Sequence, residues 1–259
     1  MYRRLLSWAG KTDEDTVLLL MPRQHPGLEA ENLLFICGSP QDLEDRRHEL
    51  YKLLEGRSVI LQSRMSHLRR LAQLFEEENK HFNLKAVISY TEELLPDTRK
   101  YLEGVFRAPV FNYYACNELG PLAQECEFHN GLHVNSEWAY VEIVNQDNEH
   151  VSGEATGDVV VTAFENEVMP FLKYKLGDRG RWLSGPCRCR RTLPRLEIKG
   201  REDHAFLLSS GKVGYLAELM WPIVRRIDSI LQYQVVRRST NNFIIILKPG
   251  GSFTAGDKA

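Results

Sequence analysis

The chain has 259 residues, 43% of them hydrophobic, a formal charge of −2 and a pI near 6.5. That length holds one large or two modest domains with an ample core, and the near-neutral charge argues against a nucleic-acid binder, which would usually be basic. The longest apolar runs, Val17–Met21 and Phe243–Leu247, are far too short to span a bilayer, and no apolar region follows Arg3 and Arg4 to make a signal peptide.

In chain order, Thr16–Met21 and Asn32–Cys37 read as short buried strands. Asp42 to Leu54 carries Leu43, Leu50, Leu53 and Leu54 at helical spacing with charges elsewhere, which predicts one amphipathic helix. Ser58–Gln62 is a strand, and Ser66 is a candidate N-cap for a helix running to about Asn79. Leu84–Ser89 is the next strand; Pro96 opens a helix ending near Phe106, and Val110–Tyr114 is again a strand. Such β-α-β alternation implies a parallel sheet with covering helices, and ligands on such sheets sit beyond the carboxyl ends of strands. Ser89–Glu92 and Tyr114–Glu118 fall at those ends.

After residue 134 the pattern becomes strand-rich. Trp138–Asn145, Gly157–Ala163, Phe171–Tyr174 and Gly180–Leu183 are short segments separated by turn residues, which suggests a small β-barrel or distorted antiparallel sheet. Beyond Gly200, a helix around Tyr215–Ile227 precedes a hairpin-like pair, Leu231–Arg237 and Asn242–Lys248, joined at Ser239-Thr240-Asn241. The expected class is α/β: a parallel α/β subdomain (1–133), a β-rich subdomain (134–200) and a short α+β C-terminal lid (201–259).

Three runs carry most of the chemistry: Tyr114-Ala115-Cys116-Asn117-Glu118, Tyr174-Lys175-Leu176-Gly177-Asp178 and Gly200-Arg201-Glu202-Asp203. An aromatic face suits adenine, a carboxylate suits ribose hydroxyls, and Mg²⁺ needs a hard oxygen ligand. In order and spacing these runs resemble the signatures of adenylate-forming enzymes, most closely the phenylacetate–CoA ligase branch. Further matches are Tyr114–His133, Gly157–Thr162, Met169–Tyr174 and Pro186–Cys189 running on to Thr192–Leu196, and the resemblance as a whole reaches from about Tyr2 to about Pro249.

The resemblance implies ATP-dependent activation of a carboxylic acid as its acyl-adenylate, with transfer to coenzyme A or another thiol or amine acceptor. It assigns Mg²⁺ to Glu118, an α-phosphate contact to Asn117, and adenine to Tyr114 and the Ser89–Glu92 loop, including Tyr90 and Thr91. Asp178 and Arg201 would hold the ribose of ATP or AMP, and Asp203 matches the hinge of the lid. The family usually has glycine at Ala115 and threonine at Asn117; asparagine can still donate a hydrogen bond. Cys116, with no histidine base near it in sequence, is expected to line the pocket rather than attack.

Two family elements are not recognised here: a Ser/Thr/Gly-rich phosphate loop before residue 114, and a lid lysine in its usual context, Lys248 and Lys258 notwithstanding. The sequence therefore resembles the middle and rear of such a ligase, in a truncated or split form, and the partners expected with it are a second polypeptide supplying the phosphate loop and a second copy of the chain in a homodimer. The alternative is a non-catalytic relative that binds nucleotide or a partner.

The five cysteines do not form a secreted disulfide framework, so a cytoplasmic location is the expectation. Cys126-Glu127-Phe128-His129 and Cys187-Arg188-Cys189 offer four N/S ligands from two short turns, a set that suits structural, tetrahedral Zn²⁺. Similar cysteine pairs recur in zinc-carrying relatives of phenylacetate–CoA ligase. Cys126, His129, Cys187 and Cys189 are the expected ligands, with His133 the substitute if His129 points away. The metal would tie a turn beyond a nucleotide-binding helix to the turn preceding Gly200.

Overall fold

The computed structural model describes residues 2–21, 32–40, 42–207, 213–216, 220, 223, 230–239 and 242–249. The chain divides into two compact units: Met1–Leu176 with Gly180–Ile198, and Gly177–Arg179 with Lys199–Ala259.

The first unit opens with helix α1 (Tyr2–Trp8). It continues through β1 (Thr16–Met21), β2 (Leu33–Cys37), α2 (Asp42–Asp45), α3 (Arg47–Leu54), β3 (Val59–Arg64), α4 (Met65–Glu77), β4 (Leu84–Tyr90), α5 (Pro96–Phe106) and β5 (Val110–Cys116). The five strands pair in parallel in the order β2-β1-β3-β4-β5. Continuous apolar runs such as Val17–Met21 form here because both faces of the sheet are covered. Leu18, Leu20, Leu61 and Val87 pack with residues of α3, α4 and α5, whereas Val17, Leu19, Ile60 and Ile88 pack with Leu5 and Leu6 of α1 and with Ala9 just beyond it.

Two local expectations change. The single helix over 42–54 is kinked at Arg46, whose guanidinium reaches back to the Cys37 carbonyl at 2.5 Å and forward to Glu49. Ser66 is not an N-cap: α4 begins one residue earlier, and Ser66 donates its hydroxyl (2.9 Å) and N–H (3.4 Å) to the Glu92 carboxylate.

No helix follows β5. The chain turns through Asn117-Glu118-Leu119 into β6 (Gly120–Glu125), which pairs antiparallel with β5. Next come β7 (Leu132–Val134), β8 (Ala139–Val144), β9 (Gly157–Ala163), β10 (Tyr174–Trp182) and β11 (Arg195–Arg201). β10 joins two segments that the sequence pattern separates. The β-rich part is not a separate barrel: its strands extend the parallel sheet into one eleven-stranded sheet, β2-β1-β3-β4-β5-β6-β7-β11-β10-β9-β8. Leu122, Leu132, Val141, Ile143, Val159, Val161 and Leu196 form its core, each buried side chain contributing on the order of 1.5–3 kcal/mol.

In the second unit a 3₁₀ turn (Glu202–His204) leads into β12 (Ala205–Leu207), paired with β13 (Val213–Tyr215). β14 (Ile230–Ser239) and β15 (Asn242–Pro249) form the expected antiparallel hairpin. Phe206 packs edge-on against Phe243, with ring centroids 5.2 Å apart. Lys248 is exposed on β15, and Lys258, Thr240, Asn241 and most of the helix expected over 215–227 lie outside the described residues.

Candidate nucleotide-binding residues and metal centre

The candidate nucleotide residues divide between strands and the turns beside them: Tyr90, Tyr114, Asp178 and Arg201 on strands, Asn117, Glu118 and Asp203 in turns. β4 ends at Tyr90, and Thr91 adopts a left-handed φ of 69° with its hydroxyl on the Tyr90 carbonyl at 2.5 Å. Glu92, bonded to Ser66 of α4, pins the same loop. Burial raises the Tyr90 phenol above its ordinary pKa.

Tyr114 lies within β5, half-buried against the second core, rather than at the strand's end. Asn117 and Glu118 are exposed in the hairpin turn that follows. Two groups from distant sequence set this turn. The Trp138 indole donates to the Leu119 carbonyl at 2.6 Å, and the Tyr174 hydroxyl donates to the Glu118 carboxylate at 3.3 Å. The Glu118 charge in turn raises the Tyr174 phenol. Neither contact is legible from the motifs, although Tyr174 heads the second one. Burial pushes the Cys116 thiol up to about 11, so at neutral pH it is protonated rather than a thiolate nucleophile.

In the second unit Asp178 is held in extended β10, not in a turn, with its side chain 14% exposed and the Arg201 guanidinium 3.5 Å away. Gly177 makes this approach feasible. Its φ is +78°, and a Cβ there would lie 3.0 Å from the Arg201 Nη2 atom. Asp203 lies in the 3₁₀ turn just beyond Arg201.

The cysteines converge, but with a different histidine. The ligand atoms of Cys126, His133, Cys187 and Cys189 all lie within 4.8 Å of one another. Cys126 Sγ is 3.7 Å from Cys187 Sγ, and His133 Nε2 is 3.5 Å from Cys189 Sγ. His129 is engaged elsewhere: its ring packs on Phe111 with centroids 4.8 Å apart, and its Nδ1 lies 3.1 Å from both Arg99 Nη1 and Glu125 Oε2. The expected ligand His129 is therefore replaced by His133. Strand pairing explains the substitution, because β7 sets His133 opposite Gln124, two residues before Cys126, and opposite Arg195 of β11.

The donor set fits a cation. Three thiols from two loops and one imidazole from strand β7 make a closed N/S cluster of the kind that holds structural Zn²⁺. Burial, with the neighbouring thiols, pushes Cys126 up to about 12 in the metal-free state. Cys189 sits below the ordinary thiol value: burial opposes this, but the backbone N–H and guanidinium of Arg191 outweigh it. The His133 Nδ1 atom is buried with no hydrogen-bond partner.

No protein-family model matches the sequence, and no curated protein matches it. Solved structures do. 2-Hydroxyisobutyryl-CoA ligase, in its postadenylation state with R3-HIB-AMP, superposes with a TM-score of 0.77 at 20% identity, over 96% of this chain and 57% of that one. The anthranilate CoA ligase AuaEII with anthranoyl-AMP gives 0.65 at 13% identity, over 95% of this chain and 52% of that one. McyG A-PCP with phenylalanyl-adenylate gives 0.67 at 14%, over 97% and 45%. The chain has the fold of adenylate-forming ligases, and it spans about half the length of those it matches.

Proposed function

We propose that this chain is part of an acyl-activating ligase, which joins a carboxylic acid to AMP and passes the acyl group to coenzyme A or another acceptor. The observation that supports the reading best is the coincidence of fold and motif. A chain that superposes on ligases carrying acyl-AMP also has the tyrosine–glutamate hairpin and the strand-borne aspartate–arginine pair.

In this reading Tyr114, Tyr90 and Thr91 enclose adenine, while Asp178, with Arg201, holds the ribose hydroxyls. Asn117 contacts the α-phosphate, Glu118 is the oxygen ligand for Mg²⁺, and Asp203 serves as hinge. Catalysis would be mainly positioning and charge neutralisation at the α-phosphate. Glu118 suits its role because the Tyr174 hydroxyl orients one oxygen and leaves the carboxylate exposed. Zn²⁺, when bound, would supply a cross-link, held by Cys126, His133, Cys187 and Cys189. None of these four residues takes part in the chemistry.

Pyrophosphate exchange across a panel of carboxylic acids, with AMP binding measured in parallel, tests the reading. Exchange with at least one acid supports it. AMP binding without exchange for any acid, both in the chain alone and with a phosphate-loop segment of a related ligase added in trans, moves the assignment to a non-catalytic nucleotide-binding relative, and failure to bind AMP refutes both.

A further inference from the structure

The buried surroundings of His133 contain more unmet polarity than a metal ligand alone accounts for. Gln124 is 0% exposed, and neither its Nε2 nor its Oε1 has a hydrogen-bond partner; His133, also 0% exposed, leaves Nδ1 unpartnered. An isolated buried amide or imidazole N–H loses its water without replacement, so three such atoms together need an explanation.

The sheet register supplies one. Gln124 of β6 stands directly opposite His133 of β7 on one side and Tyr113 of β5 on the other. Residues directly opposite in an antiparallel pair share a face, with Cβ atoms about 4.5–5.5 Å apart, within reach of a glutamine side chain. That face is the one under α1: Tyr113 packs with Leu5, Leu6 and Ala9, and Trp8 meets the His133 ring edge-on at 5.4 Å. Bulk water is excluded there. The His133 Nε2 atom faces the thiol cluster, so a metal on Nε2 places the ring proton on Nδ1, which then requires an acceptor.

We propose that Gln124 is the positioning residue of the metal centre, its Oε1 accepting the Nδ1 proton of His133 through one enclosed water. Ligating histidines commonly donate their second N–H to such a group, which fixes tautomer and ring orientation. The competing acceptor is the backbone of Leu193, which also acts on this ring. A glutamine held without partners in a dry layer is otherwise costly, and a hydrophobic residue would pack there as well.

The inference rests on the zinc reading above, and the test separates the two. The full-length chain, wild type and with Gln124→Met or Gln124→Glu, is assayed for zinc affinity by competition with a chromogenic chelator. Long-range ¹⁵N–¹H spectra of the histidine rings report the tautomer and the Nδ1 proton. The expected result is 10–100-fold weaker zinc binding in Gln124→Met, with a shifted or lost Nδ1–H signal. Gln124→Glu, which keeps an acceptor, retains affinity closer to wild type. Because methionine keeps the volume and removes two unmet polar atoms, the metal-free Gln124→Met chain should melt no lower than wild type. Unchanged zinc affinity and an unchanged Nδ1 signal in Gln124→Met overturn the proposal and leave the Leu193 carbonyl as the acceptor. A wild-type chain that binds no zinc overturns the metal reading itself.

Discussion

Substituting Cys187 by serine tests the metal centre through stability. Cys126 and Cys187 lie 61 residues apart in sequence, so a bound ion closes a long loop in the unfolded chain as well as bridging two turns in the folded one. The chain-entropy relation for a cross-link of that span gives about 4 kcal/mol, independent of the metal–ligand bonds themselves. At about 2–4 °C per kcal/mol for a unit of this size, Cys187→Ser should lower the melting temperature by roughly 8–16 °C. The same shift should appear in wild type after chelation and disappear on adding zinc back, while the variant should not respond. The substituted side chain is buried, so some destabilisation comes from packing alone; only the zinc-dependent part counts. Elemental analysis finding no zinc in protein prepared without chelators, or a chelator effect below about 2 °C on that scale, would refute the reasoning.

Two further outcomes follow from charged groups. Asp178→Ala removes a charge-assisted acceptor, and hydrogen bonds to charged groups are worth about 1.5–3 kcal/mol, so calorimetry should show AMP affinity falling tenfold to a hundredfold; equal affinity would reject the ribose assignment. Asp15 is 1% exposed; burial would raise its carboxyl, but hydrogen bonds from Lys85 (2.6 Å), Ser58 (2.5 Å) and Thr12 (2.7 Å) outweigh that and hold it well below the carboxylate range. A depressed folded-state pKa contributes stability above the unfolded value of about 3.9 and loses it as pH falls further. Asp15→Asn should therefore cost about 2–3 kcal/mol in denaturant titrations at pH 7, discounted because Lys85 is one-third exposed, with the gap to wild type closing below pH ~4. A gap that widens on acidification would contradict the sign.

The parallel half was legible because buried strands such as Val17–Met21 and a proline-opened helix such as Pro96–Phe106 are written in local pattern. The hairpin after Cys116 was not, since a nucleotide-binding helix is the expectation there. The local signal was Gly120-Pro121: Gly120 takes a φ of +67°, and a proline so early in an element has no N–H to give. His129 was preferred over His133 because Cys-x-x-His is compact in sequence. The choice depends instead on β6–β7–β11 register, a long-range property with no local trace, and on Arg99, Glu125 and Phe111 occupying His129. Asp178 is legible from its motif, but the strand around it is not, because Gly177 bends the backbone without ending β10.

Strand β6 links the two sites of the first unit, and its length decides how they influence each other. Glu118 stands just before its start and Cys126 just beyond its end, eight residues further along the chain. At about 3.3 Å per residue, the six extended residues of β6 span roughly 20 Å, well beyond the ~8 Å Debye length at physiological salt. The charge of a bound ion should therefore not reach the Glu118 carboxylate. Any influence has to travel as rigidity, through a strand paired on both sides and pinned at its far turn by Trp138 and Tyr174. Chelation well below the melting transition should accordingly leave AMP affinity within about twofold of the zinc-loaded value, equivalent to less than ~0.5 kcal/mol, while lowering the temperature at which binding is lost. A tenfold loss of AMP affinity on chelation at low temperature, with the far-ultraviolet spectrum unchanged, would show that the metal acts on the nucleotide residues directly and that the hairpin is not the stiff spacer its pairing implies.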